Sequence, residues 1–151
     1  MSEFCLKHIE EAWKVKTNLA NKLFDKGCFD QALTGYTESL ARAEVLNQHR
    51  ESCKSYGIPF VQVFIISCNN LSNTYSELGL YQEADRMLKR SICYIAHLLS
   101  LKKKKLDEYI ELQKELGRAI LYYKEFLKHS GKVKIEALWL DDIVQEYLGK
   151  M

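Results

Sequence analysis

Apolar residues recur every three or four positions along most of the chain, with polar residues between them. This is the pattern of helices that bury one face. Ala32, Tyr36, Leu40, Ala43 and Leu46 form one such stripe. Ala84, Leu88, Ile92, Ile95 and Leu99 form a second, and Ile135, Leu138, Ile143, Val144 and Tyr147 a third. The pattern predicts about six helices, near residues 3–26, 30–53, 60–78, 82–103, 106–129 and 134–148. Pro59 suits the first turn of the third, where its missing N–H costs nothing.

The turns between these helices repeat. Gly27, Gly79 and Gly131 stand 52 residues apart. Leu23-Phe24-Asp25-Lys26-Gly27-Cys28-Phe29 is followed by Ala32, and Tyr75-Ser76-Glu77-Leu78-Gly79-Leu80-Tyr81 by Ala84. Each copy has an apolar helix, a glycine, an aromatic two residues on and a small residue three beyond that. Upstream, Leu19 and Ala20 match Leu71 and Ser72; downstream, Tyr36 and Ser39 match Leu88 and Ser91. Glycine ends a helix in the left-handed conformation without a Cβ clash. Small facing residues then let the two helices approach closely. The third copy is degenerate: Lys124 stands where Ala20 and Ser72 are small, and Ala137 falls one residue late. The expectation is a single all-α domain spanning 1–151, built from three antiparallel helical hairpins near 3–53, 60–103 and 106–148.

Composition narrows the classes. A length of 151 residues, 47% hydrophobic and 28% charged, fits one ordinary globular domain. One proline and seven glycines suit a few long helices better than many short strands. A net charge of +2 gives no expectation of a nucleic-acid or membrane partner. Val61 to Cys68 is the longest apolar segment and Gln62 interrupts it, so no membrane span is expected. The first residues carry early acid and no apolar run, unlike a signal peptide. Cys5, Cys28, Cys53, Cys68 and Cys93 are odd in number and scattered, which suits reduced thiols and a cytoplasmic setting.

The Leu/small/Leu–Gly–aromatic–Ala pattern resembles the tetratricopeptide repeat (TPR). Leu19, Ala20, Leu23, Gly27, Phe29, Ala32 and Tyr36 fit it, then Leu71, Ser72, Tyr75, Gly79, Tyr81, Ala84 and Leu88. The family's tryptophan position holds Lys16 and Cys68 instead. The 52-residue period also exceeds the usual one of about 34. Ile66-Ser67-Cys68-Asn69-Asn70-Leu71 is similar to a small uncharacterised bacterial family of such proteins, which brings no activity with it. The resemblance implies a right-handed TPR-like stack of the hairpins. It also implies a protein or peptide partner held in the groove lined by the first helix of each.

By register that groove takes Lys14, Thr17, Asn21, Phe24 and Asp25 from the first helix. From the third it takes Ile66, Asn69, Asn70, Asn73, Ser76 and Glu77, with Arg118 from the fifth. Each Asn offers a donor and an acceptor to an extended peptide backbone. Some TPR proteins clamp a C-terminal carboxylate with Lys and Asn. Asn21, Asn70 and Arg118 fall on such positions, but Thr17 and Tyr122 replace two of the cations, which removes most charge-assisted binding.

Other clusters have simpler readings. Lys102-Lys103-Lys104-Lys105 suits a solvated helix C-terminus. The pairs His49/Cys53 and Cys93/His97 have i,i+4 spacing but are offset by about two turns in the repeat, so no metal is expected. Asp141-Asp142 reads as an exposed helix face. No phosphate-binding glycine loop, His-Glu-x-x-His or Gly-x-Ser-x-Gly occurs; neither an enzyme nor a cofactor is expected. The leading reading is an interaction module, an adaptor or chaperone-like binder. Its alternatives are a structural homo-oligomer, such as a homodimer, and a regulator binding a short signalling peptide. Trp13 and Trp139 suit either packing or contact.

Overall fold

A computed structural model describes residues 1–130 and 137–149, and the side chains of 137 and 138 lie outside the description. Every regular element among the described residues is helical. They are α1 (Glu3–Asp25), α2 (Phe29–Gln48), α3 (Arg50–Ser55), α4 (Phe60–Glu77), α5 (Tyr81–Ser100), α6 (Leu106–Ser130) and α7 (Ala137–Ile143), with a π-helical turn over Val144–Leu148. No helix among them is long and apolar enough to cross a membrane.

Backbone bonding explains the turns. After α1, Gly27 takes φ +79°, its N–H bonds the Phe24 carbonyl, and the Cys28 N–H reaches back to Leu23, both at 2.9 Å. After α4, Gly79 takes φ +75° while its N–H bonds Ser76 at 3.0 Å and that of Leu80 bonds Tyr75 at 2.8 Å. Both close the orphan carbonyls of a helix end in the same way, which only a residue without Cβ permits cheaply. Gly131, the third glycine of the period, lies outside the described residues, as do Ile135 and the expected helix start near 134. Ser2 caps the other end of α1, its hydroxyl accepting from the Cys5 N–H at 3.2 Å.

Two of the expected helices differ: the described part of the one predicted over 134–148 is α7 followed by the π-helical turn, and the second helix divides. The single helix predicted over 30–53 is two, broken at His49, whose φ −121° and ψ 44° are not helical. The His49 N–H bonds the Leu46 carbonyl at 3.0 Å, a tightened last turn. The short α3 that follows buries Cys53, whose thiol donates to the Leu46 carbonyl at 3.4 Å. A third positive-φ glycine, Gly57, ends α3: its N–H bonds Lys54 and that of Ile58 bonds Cys53.

The described chain forms two compact units, Met1–Met87 and Leu88–Met151. In the first, α2 packs on both α1 and α4. Its stripe of Ala32, Tyr36, Leu40, Ala43 and Leu46 is buried throughout. Against α1 the backbones come close at Gly35, where an added Cβ would sit 3.0 Å from that of Ala20. Beside it the Thr17 hydroxyl donates to Ser39 at 3.1 Å. Trp13 is buried, and its indole N–H donates to the Ser67 hydroxyl of α4 at 2.8 Å. Ser72 of α4 donates to the Ala84 carbonyl at 3.0 Å.

In the second unit Leu112, Leu116, Ile120, Tyr123 and Leu127 are buried along α6, at intervals of three and four. Trp139 of α7 meets Tyr123 edge-on, ring centroids 6.0 Å apart. Gln113 donates to the Tyr147 carbonyl at 2.9 Å and so ties α6 to the π-helical turn. Lys104, within the lysine run, donates to the Leu99 carbonyl at 3.1 Å and satisfies one free acceptor at the end of α5.

Candidate functional site

The helix α4 is buried over most of its circumference, Phe60, Val63, Phe64, Ile65, Ser67, Cys68, Leu71, Ser72 and Thr74 all facing protein. The strip left to solvent is therefore narrow and well defined. It holds Gln62, Ile66, Asn73 and Glu77 as exposed residues, with Asn69, Asn70 and Ser76 half-exposed beside them. These positions advance by three or four, so they form one line along the helix. From residue 66 to residue 77 it spans about 16 Å at 1.5 Å per residue. The line is amide-rich, carries one apolar contact at Ile66 and ends on the Glu77 carboxylate. Within it the Asn70 carbonyl accepts from the Thr74 hydroxyl at 2.7 Å.

The residues singled out on α1 separate into three environments. Lys14 is exposed. Thr17 is buried in the seam with α2 and bonded to Ser39, so its hydroxyl faces protein rather than the open side of α1. Asn21 is exposed at its edge, but its side-chain oxygen accepts from the Tyr36 hydroxyl at 2.5 Å. Phe24 is half-buried and packs edge-on to Phe29, the aromatic two residues after Gly27, centroids 5.0 Å apart. Burial, and then the nearby Asp25 carboxylate, raise the Tyr36 phenol above its ordinary value of 10.0. Asn21, Asp25 and Tyr36 thus form one polar cluster, with Tyr36 as its donor.

This cluster predicts a stability effect at a residue chosen for binding. Asn21→Ala leaves the Tyr36 hydroxyl without its acceptor and should cost about 1–2 kcal/mol. Tyr36→Phe in the same chain should recover much of that loss, because neither partner then remains unpaired; paired urea melts measure the cycle. Alkali gives a second readout. A phenol raised in the folded state contributes stability that is whole below the unfolded value near 10 and is lost as pH climbs through the folded value. Stability should therefore fall above pH 10 in the native chain, and less steeply in Tyr36→Phe.

Arg118 belongs to the second unit, on α6, and pairs with Glu115 one turn before it. The structure thus collects Lys14, Asn21 and the Asn69–Glu77 strip in one unit, joined through Trp13 and Ser67. It gives Thr17 to the core and places Arg118 on the other unit. Sequence register located the open side of α4 but not the Tyr36–Asn21 bond. The signal for that bond was available: a tyrosine on a buried stripe needs a partner for its hydroxyl.

Among the described residues no group of three or more His, Cys, Asp or Glu could hold a metal ion. Cys53 is buried in α3, while Cys93 and His97 are exposed on α5. The five cysteines are free thiols.

A family model, Protein of unknown function (DUF2753), matches residues 11–143. No curated protein and no solved structure matches the chain.

Proposed function

We propose that this chain, which belongs to the DUF2753 family, is a cytoplasmic, non-enzymatic interaction module that holds an extended segment of a partner protein along α4. The observation that carries this reading is the polar strip Ile66–Asn69–Asn73–Glu77 on a helix that is buried over most of its circumference. A peptide in extended conformation presents N–H and C=O groups along its edge. The carboxamides of Asn69 and Asn70 offer both complements, Ile66 offers a seat for one apolar side chain, and Glu77 favours a basic residue at that end. Lys14 and the free edge of Asn21 on α1 extend the surface within the same unit.

The TPR-like architecture belongs to this proposal too: a right-handed stack of three hairpins whose first helices line a groove. The matched turns at Gly27 and Gly79 support it, as does the packing of α2 on both α1 and α4. Free thiols, three of them exposed, support the cytoplasmic setting.

The test is a selection of peptides from a random display library on the intact protein, followed by titration of the enriched peptide. Asn69→Lys with Glu77→Lys should weaken that peptide at least about tenfold, equivalent to roughly 1.4 kcal/mol, with the thermal midpoint nearly unchanged. Equal affinity for the doubly substituted chain would remove the strip as the binding surface.

A further inference from the structure

The outward face of α1 carries large apolar side chains that stand in solvent. Phe4 is 80% exposed, Leu19 55% and Val15 49%. His8 stacks on Phe4 with centroids 6.4 Å apart, and Glu11 and Lys22, both exposed, complete the stripe. The positions follow one another at three, four or seven residues, opposite the buried side of Leu6, Trp13, Thr17 and Ala20.

The 52-residue period identifies the counterpart of this face. Moving one period along takes His8, Glu11, Val15, Leu19 and Lys22 to Phe60, Val63, Ser67, Leu71 and Thr74 on α4. All five are buried, Leu71 to 2% exposure, and Trp13 of α1 reaches Ser67 directly. The stripe on α4 is one that neighbouring helices pack on. Its counterpart on α1 has the same register and stands open.

We infer that a second copy of this chain covers that face, the two α1 helices pairing antiparallel about a twofold axis. Charge selects the occupant and the direction. With the helices centred between residues 12 and 13, Glu11 of each copy lies level with Lys14 of the other and Glu3 with Lys22, while Lys7 meets the neutral Asn18. Twofold symmetry makes each attraction twice. Leu19 of one copy then falls between Phe4 and His8 of the other. A parallel pairing would set Glu11 on Glu11, Lys14 on Lys14 and Lys22 on Lys22, which is repulsive. The contact is a single strip about 27 Å long by helix rise. That is less than a standard interface, so the dimer is weak, with Kd on the order of 10–100 µM. Lys14 borders both surfaces, but the apolar face is separate from the α4 strip, so the pairing does not depend on the peptide-binding reading.

Sedimentation equilibrium from about 1 to about 500 µM brackets that affinity. The native chain should pass from monomer to dimer across this range. Val15→Glu with Leu19→Glu should raise Kd at least about tenfold; both residues are exposed, and circular dichroism verifies that the chain stays folded. Glu11→Lys should weaken pairing, and adding Lys14→Glu should restore it, because the swap re-forms the same two attractions in reverse. A native chain monomeric throughout overturns the inference, as does a dimer indifferent to Val15→Glu with Leu19→Glu. Failure of the charge swap to restore pairing overturns the antiparallel arrangement.

Discussion

Trp13→Ala should destabilise the first unit by about 3–5 kcal/mol, the range for removing a large aromatic from a packed interior. Trp13 is 8% exposed and is the one side chain of α1 seen to donate directly to α4 among the described residues, through Ser67. Deleting it opens a cavity at the junction of the two helices that carry the candidate surface. Trp13→Phe separates the two contributions. It keeps most of the volume and loses the indole N–H, while Ser67 still donates to the Val63 carbonyl at 2.8 Å. Its cost should therefore be only about 1–2 kcal/mol. Urea unfolding followed by far-ultraviolet circular dichroism measures both, and equal losses for the two variants would contradict this partition.

Ala20→Leu should cost about 3 kcal/mol or more, at the upper end for overpacking. Ala20 is fully buried against Gly35, where even one added methyl would stand 3.0 Å from its Cβ. Three further carbons have nowhere to go unless α1 and α2 separate. Separation would also break the Thr17–Ser39 and Asn21–Tyr36 bonds that flank the contact. The neighbouring Leu19→Ala should change monomer stability by no more than about 0.5 kcal/mol in dilute solution, because Leu19 is exposed. Thermal melts of the two variants side by side test this contrast. A tolerated leucine at 20 would mean that the helices are not held at that distance.

That contrast also marks how far the sequence could be read. The buried stripes on α2 and α5 and the two glycine turns were legible, because each follows from local spacing and backbone chemistry alone. The break at His49 was not, since Asn47-Gln48-His49-Arg50 contains neither Gly nor Pro and each residue tolerates a helix. Thr17 and Asn21 were placed on an open face by counting along one helix. What they touch depends on α2, whose Ser39 and Tyr36 reach them across the seam. Leu19 and Leu71 occupy the same repeat position, yet one is exposed and the other buried. Repeat equivalence fixes register, whereas burial depends on what lies alongside. Arg118 shows the same limit, because counting from a glycine says nothing of which compact unit a residue joins.

The candidate surface was legible to the same extent. Asn69, Asn73 and Glu77 fall on the open line of α4 because the buried face of that helix is visibly apolar or small in sequence. The Asn21–Asp25–Tyr36 cluster required the second helix. It also changes which substitution is informative: Asn21→Ala perturbs folding, whereas Asn69 and Glu77 stand on the strip itself.

The most direct measurement is a nitrogen-15 amide spectrum of the intact protein titrated with the peptide enriched from the display library. Shift changes should concentrate at 66–77 on α4, extend to Lys14 and Asn21 on α1, and leave the outward α1 face of Phe4, Val15 and Leu19 unmoved. Changes centred on α6 or on that outward face, with 66–77 silent, would contradict the assignment of the α4 strip as the binding surface.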